Sequence, residues 1–182
     1  MLEIRWHGRG GQGAVTSVEL LALSAIEEGK FAQGFPSFGT ERRGAPVTGF
    51  NRVDDKQIKI RSGIYHPDVV VVLDKSLVAL VDVAEGLKPE GILLVNTTKS
   101  LDELKKDIKF GGKIATCDAT GIAWKELGVP ITNTTMLGAL LKVTGIVKFE
   151  SLTHPVGERF GRIAQKNLAA AKAAFDQVQF IN

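Results

Sequence analysis

The order of apolar runs predicts an α/β fold, a three-layer sandwich around a mostly parallel sheet. Three observations carry that expectation. The chain opens with a strand, a glycine-rich turn and a long helix. Asp68 to Leu73 holds four consecutive valines, as suits a strand buried on both faces of a parallel sheet. From Ala119 onward the chain reads mainly helical, after strand-like and helix-like runs have alternated.

Leu2 to Trp6 reads as the first strand. Gln12 to Glu28 follows with Val15, Val18, Leu21, Ala22, Ala25 and Ile26 at helical spacing, closed by Gly29. Together they form a Rossmann-like opening βα unit. Phe31 to Phe35 is a second strand, and Val47 to Val53 with Ile58 to Arg61 form an antiparallel hairpin addition around Asp54-Asp55. The valine strand leads into a helix over Lys75 to Val81. Further strands are expected at Gly91 to Val95 and Lys113 to Cys117, with a short helix at Leu101 to Lys106 between them. The helical C-terminal part is expected to break at Gly128-Val129-Pro130, Thr144-Gly145 and His154-Pro155, and the alanine-rich run from Phe160 to Val178 is a strong helix former.

A length of 182 residues suits one domain, residues 1–182, with one substantial core. No stretch reaches the roughly 20 apolar residues of a membrane span, and the start lacks the build of a signal peptide, so the expected location is the cytoplasm, with no membrane partner. Cys117 is the single cysteine. Iron-sulfur clusters need about four thiolates and structural zinc usually two to four, so this chain alone holds neither. The net charge is +3, with basic and acidic residues interspersed, which argues against nucleic acid as a partner.

The opening segment satisfies G-x-G-x-x-G through Gly8, Gly10 and Gly13, with Gly11 in addition. A nicotinamide dinucleotide site also wants an acid about 20 residues on, at the end of the second strand, and Phe31-Ala32-Gln33-Gly34-Phe35 has none. A phosphate loop of the Walker type wants Gly-Lys-Ser/Thr, which is absent as well. What remains is an anion-binding turn of neither type: amides of Gly10, Gly11, Gln12 and Gly13, the positive end of the helix and Arg9 together suit a phosphate or pyrophosphate. A tight strand-helix turn whose glycines only allow close packing is the competing reading. A second constellation, Phe35 to Pro46, has prolines at both ends, glycines inside and Glu41-Arg42-Arg43 at its centre. Either arginine is able to clamp a phosphate or carboxylate, and a surface or partner-facing loop explains the pattern equally well.

These two segments, Gly8-Arg9-Gly10-Gly11-Gln12-Gly13 and Ser37-Phe38-Gly39-Thr40-Glu41-Arg42-Arg43-Gly44-Ala45-Pro46-Val47, at this spacing resemble the gamma subunit of 2-oxoacid:ferredoxin oxidoreductases, and the second resembles the pyruvate branch. The resemblance extends over nearly the whole chain, through Pro67 to Val71, Asn96-Thr97 and Asn133 to Ala139. It implies a complex of alpha, beta, gamma and delta subunits that converts pyruvate, coenzyme A and oxidised ferredoxin to acetyl-coenzyme A, carbon dioxide and reduced ferredoxin. Thiamine diphosphate, its magnesium and the [4Fe-4S] clusters are implied on partner subunits only, and coenzyme A at or near this chain. By the same resemblance Gly10, Gly11, Gln12 and Gly13 meet coenzyme A phosphates, Thr16 or Ser17 adds a hydroxyl, and Arg42 and Arg43 lie beside them or face a neighbouring subunit.

No serine-histidine-acid, paired-carboxylate or metal constellation marks the chain as a catalyst by itself. His7, His66 and His154 read as packing or turn residues, Asp74 as a helix cap at the sheet's carboxyl edge, and Cys117 as a small buried hydrophobe. Two other readings stay open: a nucleotide-binding oxidoreductase acting alone, and a purely structural subunit.

Overall fold

A computed structural model describes residues 1–37 and 44–180. Seven strands form one mixed sheet: β1 (Leu2–Arg9), β2 (Phe31–Ser37), β3 (Pro46–Asp54), β4 (Val69–Val72), β5 (Ile92–Asn96), β6 (Lys113–Cys117) and β7 (Gln179–Phe180), in the spatial order β2-β3-β1-β4-β5-β6-β7. β1, β4, β5 and β6 are parallel neighbours, whereas β3 runs antiparallel to both β1 and β2, and β7 antiparallel to β6.

Alternation along the strands divides the core. Ile4, Trp6, Val69, Val71, Leu94 and Ala115 face one side and pack under α1 (Ala14–Glu27), α3 (Ala119–Leu127), α4 (Asn133–Thr144), α5 (Thr153–Phe160) and α6 (Ala164–Gln177). Val70, Val72, Leu93, Val95 and Ile114 face the other, under a 3-10 turn at Lys75–Ala79, the chain around Val83 and Leu87, and α2 (Leu101–Asp107). The valine strand is thus buried on both faces, and the three layers are present with most of the helix on one side. α4 and α6 approach so closely that a side chain on Gly138 would strike the Ala171 carbonyl.

Several elements differ from the sequence expectation. The antiparallel addition is β2 with β3, not residues 47–53 with 58–61, because β3 finds partners on both its edges. Ile58 to Arg61 instead lies irregularly, with the Ile58 and Ile60 carbonyls accepting from Gln33 Nε2. Buried Arg52 holds the segment after it, donating to the Ser62 and Gly63 carbonyls as well as to Glu3. Lys75 to Val81 forms only a 3-10 turn over its first five residues. His154-Pro155 does not break a helix: Pro155 sits in the first turn of α5, where no amide is required of it, and the break comes at Gly161. The C-terminal strand β7 has no clear sequence signal, since its two residues owe their conformation to pairing with β6.

Candidate functional site

The glycine turn occupies the carboxyl end of β1. Gly11 and Gly13 have φ of +94° and +82°, and a Cβ on Gly13 would also come within 2.5 Å of Asn133 Nδ2, so the turn requires glycine there twice over. Two of the four predicted amides are spent inside the protein: Gly10 N donates to Ala45 O and Gln12 N to Arg9 O. The amides of Gly11 and Gly13 donate to no other backbone carbonyl among the described residues. Gly13 caps α1 without a side-chain hydrogen bond, and no acid occupies the first turn, so the positive end of this 14-residue helix is unneutralised locally. Thr16 is half-buried one turn in.

The side chains around the turn make a closed set. Arg9 Nε donates to Asp74 Oδ2 at 3.2 Å, its Nη2 to Ser76 Oγ, and its Nη1 to the Gly44 carbonyl. Gln12 folds back, accepting from the Arg9 amide and donating to Asp74 Oδ2 at 2.7 Å. Asp74 Oδ1 accepts from the Ser76 amide and hydroxyl, so the expected cap is present. Burial acts to raise the Asp74 carboxyl, but hydrogen bonds from Ser76 and Gln12 and the charge of Arg9 prevail and hold it below its ordinary value. Together with the paired amides and carbonyls of Gly10, Gly44 and Ala45, these contacts fasten the first motif to the base of the second. Arg42 and Arg43 lie outside the described residues.

Beside this set a crevice of about 320 Å³ opens at the carboxyl edge, lined by Gln12, Asp74, Lys75, Asn96 to Thr98, Thr120, Thr132 and their neighbours. The chain leaves β1 toward β3 on one side and returns to β4 on the other, and such switch points are where open α/β sheets bind ligands. Of the residues singled out in the glycine turn, Gln12 is on its wall, whereas Arg9, Gly10, Gly11, Gly13 and Thr16 stand behind or beside it. Asn96 shapes the floor, donating to Leu73 O and Thr120 Oγ1. Thr132 is the N-cap of α4, a second helix in which that residue makes no side-chain cap bond and the first turn holds no acid, while Asn133 Oδ1 accepts from the Thr134 amide. Sequence reasoning missed this terminus, although the Asn133 to Ala139 segment marked its place.

His7 and Cys117 are inert here. Burial, aided by the charge of Arg5, pushes the His7 imidazole down to about 4, and burial with the nearby Asp118 pushes the Cys117 thiol up to about 12. No group of three or more histidines, cysteines and carboxylates suited to a metal occurs among the described residues, and no helix there is long and apolar enough to cross a membrane.

Residues 3–177 match the family of pyruvate ferredoxin/flavodoxin oxidoreductases. The chain belongs to this family. It is 58% identical over 179 residues to the pyruvate/ketoisovalerate oxidoreductases common subunit gamma of Thermococcus kodakarensis, covering 97% of each chain. It is 51% identical to the pyruvate synthase subunit PorC of Methanocaldococcus jannaschii, covering 98% of this chain and 97% of that one. The crystal structure of the pyruvate oxidoreductase subunit PORC from Thermotoga maritima superposes with a TM-score of 0.90 at 42% identity, over 100% of this chain and 98% of that one. The chain is thus a gamma-type oxidoreductase subunit, made to work with partner subunits.

Proposed function

We propose that the chain serves a pyruvate:ferredoxin oxidoreductase by helping to bind coenzyme A at the carboxyl edge of its sheet and by holding the alpha, beta and delta subunits in place. Thiamine diphosphate, magnesium and the [4Fe-4S] clusters then belong to those partners, and ferredoxin accepts the electrons from the complex. The observation that carries the reading is the convergence of two helix N-termini, α1 and α4, neither capped by the side chain of its N-cap residue and neither with an acid in its first turn, beside a crevice of ligand size. Oriented amides and helix dipoles stabilise phosphate without any chemistry of their own, which suits a subunit that holds one end of a substrate while reaction proceeds on another chain. Arg9 and Asp74 serve by fixing the turn, and the amides of Gly11 and Gly13 with Thr16 supply donors.

Changing Gly11 or Gln12 to alanine in the intact complex tests this. Coenzyme A-dependent acyl transfer should weaken while pyruvate-dependent decarboxylation persists, and equal loss of both would overturn the coenzyme A role. The closed Arg9-Gln12-Asp74 set favours one second reading, a purely structural subunit whose turn only packs. That reading predicts equal loss. Recovery of the native chain only as a free monomer would overturn both.

A further inference from the structure

Phosphates at this sheet edge need a cation other than Arg9, which is committed to Asp74, Ser76 and Gly44. Withdrawing it would cost half-buried Asp74 its ion pair and leave only the hydrogen bonds from Ser76 and Gln12, and would also break the Arg9 bonds to Ser76 and Gly44. On the coenzyme A reading of the proposed function, we propose that Lys75, on a ridge with Thr97 and Thr98, is the residue that holds the coenzyme A phosphates.

Lys75 follows Asp74 directly and is solvent-exposed, and it makes no ion pair with any described residue. The three ridge residues are shared by two cavities. One is the 320 Å³ crevice, polar on the side of Asn96, Thr120 and Thr132. The other, of about 410 Å³, lies on the opposite face of the sheet and has apolar walls from Val78, Val95 and Leu104. A ligand with phosphates joined to a larger organic body matches this division: charge on the ridge, hydroxyl-rich groups in the crevice, and less polar parts against the valines. Lys99 also borders the second cavity, but its ammonium is paired with Asp107 at 2.5 Å. Among the described residues that leaves Lys75 as the cation available where the cavities meet, with the exposed Thr98 hydroxyl as a further donor and buried Thr97, whose Oγ1 accepts from the Lys99 amide, beneath it. A lysine suits the task, being a mobile point charge with three donors that follows a phosphate without needing a fixed bidentate geometry.

The test uses the purified complex carrying Lys75→Gln or Lys75→Arg, with coenzyme A binding followed by calorimetry and the KM for coenzyme A and for pyruvate measured in parallel. Lys75→Gln should weaken coenzyme A binding about tenfold and flatten its salt dependence, with the KM for pyruvate unchanged. Lys75→Arg should restore binding to within about threefold, a rescue that a merely structural role would not give. Unaltered coenzyme A affinity in Lys75→Gln overturns the assignment. If Gly11→Ala weakens binding in the same assay, the coenzyme A reading stands and only the ridge is wrong; if neither variant changes it, both fall.

Discussion

The glycine turn and the Lys75-Thr97-Thr98 ridge occupy the same sheet edge, and they are opposites. In the turn, Arg9, Gln12, Asp74 and Ser76 satisfy one another, and its glycines answer backbone demands. On the ridge, an exposed lysine and two threonines border open cavities on both faces of the sheet. Conspicuous sequence therefore marks where the backbone is most constrained, and ordinary residues nearby have the freedom to meet a ligand.

Breaking the turn should cost most. Gly13→Val forces a branched side chain into a left-handed conformation and against Asn133, and should destabilise the chain by about 3 kcal/mol or more in urea titrations. Acid should have the next largest effect, acting on the strand that carries the turn. His7 titrates at about 4 in the folded protein against 6.5 when unfolded, so the folded state binds fewer protons between those values. Its contribution is complete above pH 6.5 and is lost as pH falls toward 4, up to about 3 kcal/mol. His7→Gln should remove that part of the slope, as read by comparing stability against pH for the two proteins. Next in size is Asp74→Ala, which leaves Arg9 and Gln12 without their shared acceptor and should cost about 2 kcal/mol in chemical denaturation. Smallest in stability is Thr98→Val on the ridge, at about 0.5 kcal/mol or less, yet it should still raise the KM for coenzyme A. A Thr98→Val protein as destabilised as Asp74→Ala would erase the contrast.

Much of the fold was legible because local chemistry specifies it. Four valines in β4 need burial on both faces, and a glycine turn between strand and helix needs left-handed backbone at Gly11 and Gly13. The pairing of β3 was not legible, since Ile58 to Arg61 carries a plausible strand pattern and only the three-dimensional competition awards both edges of β3 to β1 and β2. In the site, the turn and Asp74 were visible from sequence. Lys75 was hidden at the start of an expected helix, and Thr132 just beyond the expected break at Gly128-Val129-Pro130, neither with a local pattern that sets it apart.

By itself, then, the sequence determined the layered α/β class, the opening βα unit and the family motifs, because periodicity and glycine geometry act over a few neighbouring residues. Tertiary structure alone decided that Arg9 is held by Asp74, 65 residues away, and that the N-termini of α1 and α4 converge on one crevice. Those arrangements depend on which strands become neighbours, and strand order is settled by the packing of the whole sheet.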